Sequence, residues 1–502
     1  MPDSRKLNSS WLSNLIAQTS GFLAFIVTAP FLIKLLGKDQ FGALTLFVLL
    51  PQIVVQLDLG LSTAGARAVA MFNFQGKPDL VNRIFWEILF AFVIVAAALY
   101  VVFHFSAQHL FHLLQLDQII GGQLIQFVNV ISCWCLLALL NAGVSIPARA
   151  FERFRLLAVV QAISAITFWL GAFFLALMGY GLVVILWWGA AAAVLTLLIL
   201  IFNTRAYITF KKNIFFEGDT WLLPGFFRFG LGAFVAQASS LLTYHADKFL
   251  VAALVSPGAA GIYAVCTNIA NKLLILVAAI GAFVFPRAVR LKTEGATDEL
   301  KEVYVRATNA CVLAAIVFGI PIIALSEPFL RLWLKTEYAQ DYIWVLMIMV
   351  IGYILAAFSV VASNVSIGMG HSRTPAIFAI IGGVGTLLLC MLLAPKYGII
   401  GAAASAAIGM SQAIIFNWLV AHWFGRSYAR DAIFLLLKAV FVGSILVGCF
   451  LFTNHLIDSW VELIIAGLFG SSCVLLIWFV LGFFSNDERD YILRILRKIR
   501  WS

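Results

Sequence analysis

Residues 16–42, IAQTSGFLAFIVTAPFLIKLLGKDQFG, and residues 235–261, VAQASSLLTYHADKFLVAALVSPGAAG, align without a gap. Identical pairs fall at Ala17/Ala236, Gln18/Gln237, Ser20/Ser239, Leu23/Leu242, Leu35/Leu254 and Gly42/Gly261. Each copy reads as an apolar span, a tight turn and the start of a second long span. Each also opens a block of six spans with the same starting side. The chain therefore reads as two parallel repeats related by an axis along the membrane normal, an arrangement that places a binding cavity between the halves.

The composition around these copies agrees with a membrane protein. Of 502 residues, 63% are hydrophobic and only 11% charged, against roughly 25% charged in soluble domains, and the mean hydropathy is +1.02. Apolar runs long enough to cross a bilayer occur at 11–36, 41–71, 81–105, 119–147, 155–178, 181–203, 227–255, 259–290, 302–326, 338–369, 374–395, 398–424, 432–453 and 459–484. The expected fold is thus an all-α polytopic membrane protein with fourteen transmembrane helices. Residues 1–203 form one six-helix lobe, 204–226 an amphipathic linker, 227–424 the second lobe, and 425–502 two further spans with a basic tail. The first apolar stretch reads as a retained helix, because no small-residue cleavage site follows it. Pro30, Pro51, Pro286 and Pro321 are expected to kink their spans.

A net charge of +10 would point to a polyanion partner in a soluble protein. Here its placement gives a different reading. With the N-terminus inside, Lys38, Arg331, Lys335 and Lys396 fall outside, while Lys34, Arg67, Lys248 and Lys272 lie within spans. All other lysines and arginines fall on the cytoplasmic side. This asymmetry is a topology signal that puts both termini in the cytoplasm, and no nucleic-acid partner is expected. The linker, with "TFKKNIFFEGDTW", reads as a helix along the inner leaflet.

Charges inside spans are expensive and mark candidate functional groups. Helix rise places Asp247 and Lys248 about 12–14 Å, and Lys272 about 20 Å, below the outer surface. Asn268 and Asn271 share a helix with Lys272. These groups either pair with one another, as Asp247 with Lys272, or line a wet, cationic cavity for an anionic headgroup. In the first half, Gln52 and Gln56 stand at i, i+4 and suit a sugar. Asp58 and Arg67, in "VQLDLGLSTAGARAVA" (55–70), are nine residues apart and too far for a helical pair; Arg67 sits near the cytoplasmic mouth. His109 and His112 have metal-like spacing but no carboxylate pair beside them, and no metal site is expected. There is no phosphate-binding Gly-x-x-x-x-Gly-Lys-Ser/Thr loop, nor a nucleophile–base grouping. The chain reads as a transporter, not an enzyme, with no cofactor.

The stretches "FLIKLLGKDQFGALTLF" (31–47), "LDLGLSTAGARAVA" (57–70), "ADKFLVAALVSPGAAGIYAVCTNIANK" (246–272) and "GMGHSRTPAIFAIIGG" (368–383) resemble those of bacterial polysaccharide exporters. More narrowly, they are similar to the O-antigen and capsule flippases of the multidrug/oligosaccharidyl-lipid/polysaccharide superfamily. The resemblance implies a V-shaped pair of lobes in the bacterial inner membrane that opens alternately to either side. Its cargo would be an undecaprenyl-pyrophosphate-linked oligosaccharide, carried to the periplasmic leaflet with the lipid tail left in the bilayer. Lys248, Lys272 and Arg67 would line the cationic cavity. Asp58 or Asp247 would titrate if a proton or sodium gradient drives transport. Membrane lipids and other glycan-assembly proteins are the expected partners. The alternatives are a lipid II flippase, a multidrug cation antiporter of the same superfamily and, in another class, an integral-membrane glycan polymerase or ligase.

Overall fold

The computed structural model describes residues 4–56, 58–205, 208, 234, 237–238, 241, 245–335, 339–451 and 457–480. The chain divides into two compact units, 1–261 and 262–502. Every regular element among the described residues is helical, and eleven helical stretches are long and apolar enough to cross a membrane. Most of the expected linker helix at 204–226, about half of the span at 227–255 and the basic tail lie outside the described residues.

In the first unit, α1 (Ser4–Leu36) runs through Pro30 and lies along α8 (Phe154–Leu177). Phe25 packs on Trp169 and Phe31 on Phe173, with ring centroids 4.7 and 5.4 Å apart. Next come α2 (Lys38–Gln56), α3 (Leu61–Phe74) and α4 (Pro78–Leu113). The short α5 (Asp117–Ile120) precedes α6 (Leu124–Val144), α7 (Ile146–Ala150) and α9 (Leu182–Thr204). Ile84, Phe92, Ala68, Leu139 and Ile146 form a shared core of α3, α4, α6 and α7. Lipid tails are as apolar as these side chains, so close van der Waals packing holds the helices together in place of burial from water.

The unit closes with α10 (Ala246–Leu254) and the first turn of α11 (Pro257–Gly281). Here the two aligned copies meet at equivalent positions. A Cβ on Gly261 would lie 2.7 Å from the Gly42 Cα, and one on Gly258 would lie 2.5 Å from Asp39 Oδ1. A Cβ on Gly42 would collide with the Pro257 carbonyl. Gly42 aligns with Gly261, and Asp39 with Gly258. The absence of a side chain at Gly42, Gly258 and Gly261 is thus what lets these two helix starts approach so closely.

The second unit continues α11 and adds α12 (Val284–Thr293), α13 (Thr297–Ala324), α14 (Ser326–Leu334) and α15 (Ala339–Gly368). It ends with α16 (Arg373–Met410), α17 (Gln412–Phe424), α18 (Arg426–Leu451) and α19 (Trp460–Val480). Helix α15 packs against α13, α16 and α17, and α13 also carries α18 and α19. Inside α16 the backbone leaves helical geometry at Gly398 (φ 58°). A Cβ on Gly401 would lie only 2.4 Å from the Leu393 carbonyl oxygen, so the chain doubles back there.

Several expected spans are subdivided. The stretch 41–71 is two helices, and among the described residues the interruption falls at 58–60, beyond Pro51, which α2 accommodates. The stretch 259–290 is also two helices. Pro286 stands in the first turn of α12, where its missing N–H has no helical partner to lose. Helix α12 is amphipathic: Val284, Ala288 and Leu291 are buried, whereas Arg287, Arg290 and Lys292 are exposed. Its basic face belongs to a surface helix and not to the end of a span.

Candidate functional site

The most polar constellation of the first unit is built where α2 stops. Asp58 is 1% exposed, and both of its carboxylate oxygens accept backbone hydrogen bonds. Gly60 N–H donates to Oδ1 at 2.8 Å and Ser62 N–H to Oδ2 at 2.9 Å; Leu61 N–H donates to the Asp58 carbonyl at 3.0 Å. The Gly60 and Ser62 amides stand at the start of α3, whose N-cap is Gly60, so the Asp58 carboxylate caps that helix from two residues before its N-cap. Leu59 (φ 55°) and Gly60 (φ 77°) both take left-handed backbone, which a non-glycine residue holds only under strain. The buried carboxylate pays for that turn. Arg149, in the last turn of α7, lies within reach of the Asp58 charge. Arg67 is exposed on α3, more than two turns away along that helix.

Gln52 and Gln56 share one face of α2, Gln52 exposed and Gln56 half-buried. The Gln56 Nε2 lies 3.4 Å from His245 Nε2. His245 immediately precedes α10 and was not among the expected site residues; the signal was a histidine two residues before Asp247 in an apolar stretch. Its Nδ1 is buried without a hydrogen-bond partner. On the first turn of α10, Asp247 and Lys248 are each 3% exposed, with Lys248 Nζ 3.4 Å from Asp247 Oδ1. Lys248 N–H also donates to that oxygen at 2.9 Å. The Lys248 ammonium is thus buried against the Asp247 carboxylate of its own helix.

Asn268, Asn271 and Lys272 lie on α11 in the second unit. Asn268 is exposed, while Asn271 and Lys272 are half-buried. The i, i+4 spacing puts Asn268 and Lys272 on one face, where Lys272 is the accessible cation among the expected site residues of that helix. His112 of α4 lies 2.8 Å from Asp117, which makes it an exposed polar contact. No cluster of three or more potential metal ligands occurs among the described residues.

Comparison with known proteins places this arrangement. Residues 7–292 match the model of the family described as polysaccharide biosynthesis protein. The "Putative O-antigen transporter" of Shigella flexneri is 26% identical over 219 residues, covering 43% of this chain and 48% of that protein. An uncharacterised membrane protein of Methanocaldococcus jannaschii is 24% identical over 57% of this chain and 56% of its own length. The chain spans about half the length of the curated relatives it matches. Among solved structures, the lipid II flippase MurJ in an inward closed conformation is similar with a TM-score of 0.74 at 14% identity. That likeness covers 94% of this chain and 98% of MurJ. An inward-facing multidrug resistance MATE family transporter of the MOP superfamily gives 0.71 at 14% identity, over 84% and 99%. These structural likenesses show the fold. The family match covers more than half of the residues, and this multi-pass membrane protein with a MOP-type fold belongs to the polysaccharide biosynthesis protein family.

Proposed function

We propose that the protein is a flippase for a lipid-linked oligosaccharide, with undecaprenyl pyrophosphate as the carrier and an O-antigen, capsule or exopolysaccharide unit as the cargo. The observation that carries this reading is the extent of the structural likeness. The MATE-type neighbour covers 84% of this chain, whereas the lipid II flippase covers 94%. The likeness to the lipid II flippase thus extends over more of the chain than the likeness to the MATE family transporter does. The family match and the S. flexneri relative support the same reading.

In this mechanism the polar head is carried through the protein while the polyprenyl tail remains in the bilayer, where an apolar chain is best solvated. Lys272 meets phosphate as a compact point charge, and Asn268, Asn271, Gln52 and Gln56 exchange hydrogen bonds with sugar hydroxyls. Arg67 recruits the anionic head at the cytoplasmic mouth. Asp247 is the group we assign to ion coupling, to H⁺ or Na⁺, because a change in its charge alters the buried Lys248 beside it. Asp58 acts through the fold, holding the α2–α3 turn at the start of α3, so its loss lowers transport as far as it lowers folded protein. The protein acts in the bacterial inner membrane with both termini cytoplasmic, beside other glycan-assembly proteins.

The test is complementation of a bacterial strain that lacks its own O-antigen flippase. The full chain should restore surface glycan, and Lys272→Ala should abolish it at wild-type membrane levels. Normal surface glycan from Lys272→Ala overturns the cationic-cavity reading. Restoration of growth in a strain depleted of its lipid II flippase, without surface glycan, assigns the cargo to peptidoglycan instead.

A further inference from the structure

The second unit holds a polar cavity that the transport reading does not use. It measures about 320 Å³ and lies between α13, α17 and α18, lined by Tyr304, Asn309, Asn417, Tyr428, Asp431 and Lys438. The Tyr304 hydroxyl stands 2.6 Å from Asn417 Oδ1. Tyr304 and Asn417 are 2% and 1% exposed, so the inner wall is fixed by packing. The outer wall is open to the bilayer. Phe434 lines the cavity, and Ile433, Phe434 and Leu437 are 48%, 51% and 56% exposed, as apolar side chains facing acyl chains would be. Polar groups on a lipid-facing cleft are costly unless an occupant satisfies them.

The order of charges identifies that occupant. Helix α18 begins at Arg426, and Arg426 and Arg430 are exposed, which sets that end at the headgroup level. Asp431 stands one turn in. Lys438 stands seven residues further, about 10 Å deeper along the axis and on the same face, and it lines the cavity with Asp431. A carboxylate thus lies nearer the water and an ammonium nearer the acyl region. A zwitterionic phospholipid with a primary amine has the complementary order, with its ammonium outward and its phosphate inward. An anionic lipid offers nothing to Asp431. The volume lies at the small end of ligand pockets and suits one headgroup, not an oligosaccharide.

We propose that this cavity is a binding site for the headgroup of a phosphatidylethanolamine-type lipid, with Asp431 taking the amine and Lys438 the phosphate. The test is native mass spectrometry of the full-length protein in mild detergent, titrated with phosphatidylethanolamine, phosphatidylcholine or phosphatidylglycerol of matched chains. Wild type should retain phosphatidylethanolamine about tenfold better than phosphatidylglycerol, the size of one charge-assisted hydrogen bond, with phosphatidylcholine between them. Asp431→Asn should erase that preference, and Lys438→Gln should weaken all three lipids. Equal retention of the three by wild type overturns the proposal without recourse to a variant. So does an unchanged preference in Asp431→Asn. As a check that does not depend on variant folding, phosphatidylethanolamine with a photoreactive headgroup should label wild type within 426–441; labelling confined to other helices contradicts the site.

Discussion

Replacing Asp58 separates a structural role from a transport role. In the structure its two carboxylate oxygens hold the Gly60 and Ser62 amides at 2.8 and 2.9 Å, with the residue 1% exposed. Asp58→Ala removes both acceptors and leaves two amides at the start of α3 without their cap. Loss of an N-cap costs about 0.5–2 kcal/mol, and hydrogen bonds to a charged group contribute about 1.5–3 kcal/mol each. The two estimates overlap in what they count, so a loss of about 2–4 kcal/mol is expected. Asp58→Asn keeps one acceptor oxygen in nearly the same shape, and Asp58→Ser keeps a good cap; both should lose about half as much. The assay is thermal denaturation of purified protein, read by the folded fraction on size exclusion, with transport measured in parallel. The account expects stability to rank wild type, then Asn and Ser, then Ala, and transport to follow folded protein. If Asp58→Asn is as stable as wild type yet inactive, the carboxylate acts in transport and the capping argument is refuted.

Other outcomes follow from particular contacts. The built Cβ of Gly258 lies 3.3 Å from the Lys38 Cβ, close to disulfide geometry. A Lys38→Cys/Gly258→Cys protein without its native cysteines should cross-link on mild oxidation, seen as altered mobility on a non-reducing gel. Gly42→Val should suppress that cross-link in the same variant, because its side chain runs into the Pro257 carbonyl; an unchanged yield would contradict the close crossing. Asp247→Asn leaves Lys248 buried without its nearest carboxylate and should cost about 3–5 kcal/mol. Adding Lys248→Met should recover part of that loss, and a double variant less stable than Asp247→Asn would show that the pair does not act as a unit. Gln56→Leu should lower transport less than Lys272→Ala does, since it removes a neutral partner of His245, as rates of glycan export can check.

The apolar runs carried the helical membrane class, because a bilayer demands long segments with every backbone group satisfied internally. The copies at 16–42 and 235–261 carried the repeat, and Gly42 and Gly261 touch where they align. What the hydropathy pattern hid were the interruptions. "LDLG" is apolar enough to average into one long span, yet an aspartate acceptor followed by a glycine able to turn left-handed is a legible stop and restart. Three basic residues on α12 looked like a span end, although their spacing against Val284, Ala288 and Leu291 marks a surface helix. His245 was passed over because its partner, Gln56, is distant in sequence, and only the tertiary fold brings them together. The neighbour that Lys248 takes, Asp247, was legible as an adjacent charge, but the depth of their burial comes from other helices and cannot be read from the sequence alone.

The most direct measurement of the central claim is translocation in proteoliposomes. Full-length protein is reconstituted with a fluorescent undecaprenyl-pyrophosphate oligosaccharide, and label on the opposite leaflet is read by a membrane-impermeant quencher with and without an imposed proton or sodium gradient. The account predicts protein-dependent movement of the labelled lipid that a gradient accelerates and that Lys272→Ala abolishes. No movement of the lipid under either gradient, with protein-dependent uptake of a cationic dye in the same vesicles, would contradict it.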